Sequence, residues 1–195
     1  MVKINRLHAV PIVKRPSEDE RIKYDFDPIN DVMDRQWDNY PVGPDQPLRM
    51  IRRDRWNAVV PRSWQFQPIP VKAVLVMPTN TYTCLSNSAC MKIVWRLQKH
   101  QLRSGLRDIQ WNFLIGGCGR VYEGRGWDRR PAKNPIHKPW DYKSLDVAFI
   151  GRFGTDVHPC MRDQLNELIC YGLKHNLIRN SVTEYYEYER LNKRL

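Results

Sequence analysis

The sequence predicts an α/β domain in which helices pack against a β-sheet. Val71–Met77 is a mostly apolar, valine-rich run, which is typical of a buried central strand. A helix is predicted over residues 159–175, where apolar residues recur at helical spacing: Met161, Leu165, Leu168, Ile169 and Gly172. Between these elements, residues 107–127 form a candidate β-hairpin. Strands that alternate with helices indicate a sheet covered by helices.

Composition bounds the class of protein. The 195 residues suffice for one domain with a core, and 42% hydrophobic and 11% aromatic residues are typical of a globular chain. The net charge of +11 is uneven: residues 1–45 hold seven Lys or Arg and nine Asp or Glu, a balance of −2, so residues 46–195 carry +13. On charge alone, nucleic acid, an acidic glycopeptide, anionic lipid and a solvated basic surface all remain open.

The sequence shows no membrane span, no signal peptide and no zinc-ribbon spacing. No stretch approaches the ~20 apolar residues of a membrane span, and Met1–Pro16 has no apolar core long enough for a signal peptide. The five cysteines form no CxxC pair, which removes zinc-ribbon spacing. Because no recognised nucleic-acid module is present, we do not expect nucleic acid to be the partner.

The chain divides into an extension and a domain. Residues 1–45 are polar, charged and broken by proline, so we expect a flexible N-terminal extension. The domain is expected over residues 46–195. Its first helix is predicted from about Ser88 to Ser104, with Ser88 as the N-cap and Gly105 as the residue that ends it.

The second half of the domain begins after a loop at residues 128–143, which is rich in Pro, Lys and Arg. Leu145–Gly151 is predicted to be a strand, and Pro159 suits the first turn of the second helix. The residues from Asn180 onward are charged and rich in tyrosine, and we assign no element to them.

The hairpin at residues 107–127 is the most informative stretch. Ile109, Trp111, Phe113 and Ile115 alternate, which predicts that they share one face of a strand. Glycines then mark a turn, and a second strand is predicted over Arg120–Glu123. The sequence Gly-Arg-Gly-Trp that follows is equally consistent with a binding groove and with a buried hairpin that has no ligand.

Five motifs together follow one family pattern. The pattern reads R-x-x-W-x-A, then P-V before H-H-T, C-x5-C, D-I-G-Y-N-F-L-I-G-x-D-G-x-V-Y-E-G-R-G-W, and S-I-G-I-x-F-I-G-x-F. The corresponding residues are Arg53 with Trp56 and Ala58, Pro70-Val71, Cys84 with Cys90, Asp108 to Trp127, and Ser144 to Phe153. Over about residues 48–180 the chain resembles the peptidoglycan recognition proteins (PGRPs), relatives of zinc N-acetylmuramoyl-L-alanine amidases. The resemblance implies a central mixed β-sheet flanked by helices, with a groove for the stem peptide and muramic acid of bacterial cell wall.

Departures from the family pattern predict that the chain is not an enzyme. The resemblance implies that amidases of the family bind zinc through the first His of H-H-T, a His in a late G-H-R motif and a following Cys. Here the first position is Met77, the late motif corresponds to Tyr188-Glu189-Arg190, and the Cys would lie beyond Leu195. A tyrosine that assists catalysis in the family is Trp111. His100, His137 and His158 show no metal-ligand spacing, so we expect neither a metal nor a cofactor.

The resemblance also implies the ligand contacts. Members that prefer diaminopimelic-type peptidoglycan carry Gly-Trp before D-I-G-Y, where this chain has Gly105-Leu106, and they share Arg125. Arg125 would pair with the extra carboxylate of that stem peptide or, alternatively, form a structural ion pair. Leu106 removes an aromatic contact, and Lys133 replaces the His of a groove-lining G-A-H. The expected ligand-binding residues are Gly105, Leu106, Trp111, Arg125, Trp127 and Lys133.

The cysteines bear on the compartment. By resemblance, Cys84 and Cys90 form the family's common disulfide, while Cys118, Cys160 and Cys170 are expected to be free, with Cys170 in the core. A disulfide needs an oxidising compartment. If the sequence is part of a longer protein, we expect the chain to be extracellular or membrane-anchored. If it is complete, the lack of a signal peptide predicts a cytoplasmic protein, and both alternatives stay open.

Two functional hypotheses follow. The first is a non-catalytic receptor or regulator in innate immune signalling that binds cell-wall muropeptide, favouring the diaminopimelic type. The alternative is a regulatory protein that has lost peptidoglycan binding and pairs with other PGRPs, through the loop at residues 128–143 and the charged tail.

Overall fold

The computed structural model of the chain describes residues 48–132, 143–153 and 157–186. These residues form a six-stranded sheet and two α-helices. The strands are β1 (Met50–Ile51), β2 (Val71–Pro78), β3 (Phe113–Gly116), β4 (Arg120–Glu123), β5 (Ser144–Phe149) and β6 (Ile178–Tyr186). The helices are α1 (Asn87–Arg103) and α2 (Pro159–Lys174).

The sheet is mixed, and its strand order is β1-β4-β3-β5-β2-β6. The hairpin strands β3 and β4 are antiparallel, whereas every other neighbouring pair is parallel. Strand β2 lies inside the sheet between β5 and β6, which agrees with its continuous apolar run. The predicted α/β class and the central mixed sheet are confirmed.

The two helices cover opposite faces of this sheet. Val74 and Val76 of β2 pack in the cluster that contains the apolar stripe of α2. Leu75 and Met77 pack instead with side chains of α1. Because successive side chains of a strand point to opposite faces, the sheet has an α1 face and an α2 face.

The N-cap of helix α1 lies two residues before the predicted one. Ser86, not Ser88, caps it, and the Ser86 hydroxyl accepts a hydrogen bond from the Ala89 N–H at 3.2 Å. Ser88 lies buried in the first turn. The predicted stop at Gly105 is confirmed: its φ is +89°, and the N–H groups just past the helix bond back to its last turn.

Helix α2 follows the prediction, with Pro159 in its first turn and its whole predicted stripe buried. The expectation for Cys170 is wrong, because this residue is exposed. It follows Ile169 by one residue, about 100° around the helix, and therefore turns off the stripe. In the described part of the chain, no helix has the length and apolar character needed to cross a membrane.

The predicted shared face of residues 109–115 is wrong. Ile109 and Trp111 pack on the α1 face, whereas Phe113 and Ile115 pack on the α2 face. The strand begins only at Phe113 because Asn112 interrupts the alternation. The buried Asn112 amide donates to the carbonyls of Gly126 and Arg129 at 2.7 and 2.8 Å, and its oxygen accepts from the Asp146 N–H at 2.9 Å.

Strand β6 was not predicted. It pairs in parallel with β2, beyond α2, and it buries Ile178 and Val182. Charged residues and tyrosines in this segment hid the alternation, although Val182 and Thr183 are residues that favour strands.

The Cys84–Cys90 disulfide is confirmed, and it ties the loop before α1 to the first turn of that helix. Among the described residues Cys118, Cys160 and Cys170 are free, as predicted. The disulfide closes a loop with a sequence separation of six residues.

We expect the paired change of Cys84→Ser and Cys90→Ser to lower the free energy of unfolding by about 2 kcal/mol, since a short loop loses little entropy on closure. Urea denaturation of both proteins measures this difference, with Cys170→Ser as the exposed control. An unchanged midpoint in the paired variant would contradict a stabilising disulfide.

Candidate functional site

The segment after β4 is held against the residues just before β3. The N–H of Gly124 donates to the Asn112 carbonyl, and the N–H of Arg125 donates to the Trp111 carbonyl, both at 2.9 Å. A Cβ at Gly124 would collide with the Trp111 carbonyl oxygen, so only glycine allows this approach. These contacts fix the position from which the Arg125 side chain leaves the backbone.

Arg125 is a buried cation that makes no direct ion pair with a carboxylate among the described residues. Its Nε donates to the Ile109 carbonyl, and its Nη1 donates to the Arg130 carbonyl at 2.8 Å. Burial lowers the pKa of the Arg125 guanidinium, although the negative charge of Asp108 opposes this change. Among the ion pairs within the described residues, none includes Arg125. The alternative of a structural ion pair is therefore not formed there.

Arg125 borders an open cleft of about 490 Å³. Gly105 and Leu106, just after α1, form one part of its wall. Trp64, from the loop before β2, forms another part. The cleft thus brings together three predicted site residues from two parts of the chain: the adjacent Gly105 and Leu106, and Arg125.

Positive charge dominates the cleft. Arg107 and Arg130 line it together with Arg125. Arg107 donates to the Ser63 hydroxyl at 3.0 Å, and Arg130 donates to the Phe66 carbonyl at 3.0 Å. Because three guanidinium groups line its wall, the cleft favours an anionic ligand.

The other predicted contacts do not line this cleft. Trp127 packs on the α2 face, where its ring lies 4.7 Å from that of Phe113 and 5.9 Å from that of Tyr171. Trp111 packs on the α1 face, and its buried indole N–H has no hydrogen-bond partner among the described residues. Lys133 lies outside the described residues.

Of the positions where the resemblance implies a zinc ligand, the described residues include one, Met77, and its side chain does not suit that ion. Met77 is buried on the α1 face, and its thioether is a poor zinc ligand. Cys84 and Cys90, in the same cluster, are bonded to each other. Within residues 48–132, 143–153 and 157–186, no group of three or more His, Cys, Asp or Glu is placed to hold a metal ion. Tyr188-Glu189-Arg190 and His137 lie outside these ranges.

The residues that line the cleft but were not predicted from the sequence include Trp64, Arg107 and Arg130. Arg107 directly follows the predicted pair Gly105-Leu106 in the sequence, so it could have been predicted as a cleft residue. Trp64 carried no such signal in the sequence, because the loop that holds it reaches the site through bonds to residues distant in sequence, Arg107 and residues 128–130. The N–H of Gln67 donates to the Asp128 carbonyl, and the N–H of Arg130 donates to the Gln65 carbonyl, both at 2.8 Å.

Known proteins resemble the chain in sequence and in structure. Peptidoglycan-recognition protein LC of Drosophila melanogaster is 39% identical over 131 residues, which is 66% of this chain and 24% of that protein. The solved ectodomain of the Drosophila transmembrane receptor PGRP-LCa has a TM-score of 0.66 and 31% identity, and 75% of this chain and 88% of that one are covered. PGRP-LE in complex with tracheal cytotoxin, a monomeric diaminopimelic acid-type peptidoglycan, has a TM-score of 0.67 and 26% identity, with 71% and 81% covered. No protein-family model matches the chain.

The structural likenesses define the fold as that of the amidase-like α/β domains. Because a solved member at 31% identity is covered over 88% of its length, the chain belongs to the peptidoglycan recognition protein family. The chain spans between 24% and 66% of the length of the first curated relatives that it matches.

Proposed function

We propose that the chain recognises muropeptides of bacterial cell wall, without hydrolysing them, as a receptor or regulator in innate immune signalling. The observation that carries this proposal is the buried guanidinium of Arg125 on the cleft, which donates to two neutral carbonyls and makes no direct ion pair within the part of the chain that the structure describes. A carboxylate of the ligand would restore the stabilisation that the cation loses on burial.

The diaminopimelic type of stem peptide fits this cation best. The side chain of its third residue ends in an ammonium and a carboxylate on the same carbon, whereas the lysine-type side chain ends in the ammonium alone. Only the diaminopimelic form therefore offers the arginines a carboxylate. PGRP-LE, a structural relative, is solved in complex with a ligand of the diaminopimelic type. We therefore expect a preference for the stem peptide that carries this extra carboxylate.

The absence of hydrolysis is part of the proposal, and it depends on residue chemistry. Met77 offers a thioether where the resemblance implies an imidazole ligand, and Trp111 offers no hydroxyl where it implies a tyrosine. Both side chains are buried in one apolar cluster on the α1 face, an environment that suits packing better than polar chemistry.

Calorimetric titration tests recognition directly. Purified protein would be titrated with two monomeric muropeptides that differ only in diaminopimelic acid or lysine at the third position. We expect saturable heat with the diaminopimelic form and weaker binding of the lysine form. Release of the stem peptide by zinc-supplemented protein would refute the non-catalytic part, and no heat with either ligand at millimolar concentration would refute recognition.

The alternative, pairing with other PGRPs without ligand, stays a prediction. The segments that motivate it, most of the loop at residues 128–143 and the end of the chain, lie outside the described residues. Co-purification with another family member in the absence of peptidoglycan would favour it.

A further inference from the structure

The geometry points to Trp64 as a ligand-contacting residue of the cleft, which supplies an apolar wall for the methylene chain of an anionic ligand. This inference rests on the proposed function and deepens it. The ligand class is an aliphatic side chain of several methylene groups that ends in a carboxylate.

Among the described tryptophans, Trp64 is the most exposed, at 44% of its surface. The exposed ring lines the cleft that Arg125 borders. A large aromatic surface left in water beside a buried cation matches a ligand that is apolar along its length and anionic at its end.

Several contacts hold Trp64 and the loop around it. The guanidinium of Arg129 lies over its ring at 4.7 Å, and the backbone of Phe66 forms a β-bridge with Arg129. The flanking Ser63 hydroxyl accepts a hydrogen bond from Arg107. The flanking contacts hold the loop on both sides of Trp64, and Arg129 packs on its ring, so less entropy is lost when a ligand binds.

The Trp64 ring matters for ligand contact because Leu106, another apolar side chain of the cleft, is small. Leu106 is smaller than an aromatic residue and only half-buried on the same cleft, so it covers less of a ligand than an indole would. Trp64, contributed by a different loop, provides the aromatic surface that this position lacks. Arg125 would then read the charge of the ligand, and Trp64 would contact its methylene groups.

The test uses Trp64→Ala and Trp64→Phe, with Trp95→Ala as a matched control. Trp95 is 38% exposed and also carries a cation over its ring, Lys99 at 5.3 Å, but it does not line the cleft. Affinity for the diaminopimelic-type muropeptide would be measured by calorimetry, and thermal denaturation would verify that each variant is folded.

We expect Trp64→Ala to weaken binding about tenfold, from the lost apolar contact. Trp64→Phe should stay within about threefold of the parent protein, because a ring is kept, and Trp95→Ala should bind like the parent. If the parent binds and both Trp64 variants bind equally well, this inference is overturned while the proposed function stands. If the parent itself does not bind, the proposed function fails and the inference fails with it.

Discussion

Arg125→Gln is expected to abolish most of the affinity for the diaminopimelic-type muropeptide. Loss of one partner of a buried charge pair costs about 2–5 kcal/mol, which corresponds to a dissociation constant raised roughly 30-fold or more. Because the guanidinium is buried beside the cleft, nearby solvent cannot replace it. Calorimetric titration of both proteins with the same ligand measures the loss.

Arg107→Gln is the matched control for this change. Arg107 lines the same cleft, but it is exposed and bonds to the Ser63 hydroxyl. Its removal should cost less than about 1 kcal/mol, since exposed charges are screened by water and salt. Equal losses in the two variants would mean that general positive charge, rather than Arg125, attracts the ligand.

Arg125→Gln should also lower stability, by about 1–3 kcal/mol, because it leaves the carbonyls of Ile109 and Arg130 without their donor. Binding is therefore to be compared only at temperatures where both proteins are folded. Arg125→Lys separates the two effects: it keeps the charge but loses the planar fork, so we expect intermediate affinity.

Asp108→Ala is expected to give the largest loss of stability, about 3–5 kcal/mol. Asp108 is 2% exposed, and one of its oxygens accepts hydrogen bonds from Arg53 at 3.0 Å and from Gln98 at 2.7 Å. The change leaves the Arg53 guanidinium without its carboxylate, although that group still donates to the carbonyls of Val59 and Gly124.

Chemical denaturation measures this loss against Asp54→Ala. Asp54 also pairs with an arginine, at 3.7 Å, but its side chain is 73% exposed. An exposed pair contributes less than about 1 kcal/mol, so this control should unfold like the parent. A similar midpoint for the two variants would contradict the structural role of Asp108.

Most features set by residues close together in the sequence were predicted correctly, whereas several features set by contacts between distant residues were not. The buried run of β2 and the stripe of α2 are local patterns with a clear period, and both were predicted correctly. The pairing of Cys84 with Cys90 followed from the family resemblance. Gly105 was read correctly because a helix stop needs a residue that accepts positive φ.

The failures involved contacts with distant residues. Asn112 breaks the strand alternation through bonds to Gly126, Arg129 and Asp146, none of which its neighbours in sequence reveal. Trp127 looked like a groove residue beside Arg125, but its side chain packs with Phe113 on the α2 face. Conversely, Trp64 enters the cleft through loop pairing that no sequence period encodes.

The most direct measurement is a crystal structure of the protein soaked with a diaminopimelic-type muropeptide. We predict that the side-chain carboxylate of the third residue lies within about 3 Å of the Arg125 guanidinium. The methylene groups of that residue should lie between Trp64 and Leu106. A ligand bound elsewhere on the domain, or an empty cleft at saturating concentration, would contradict the account.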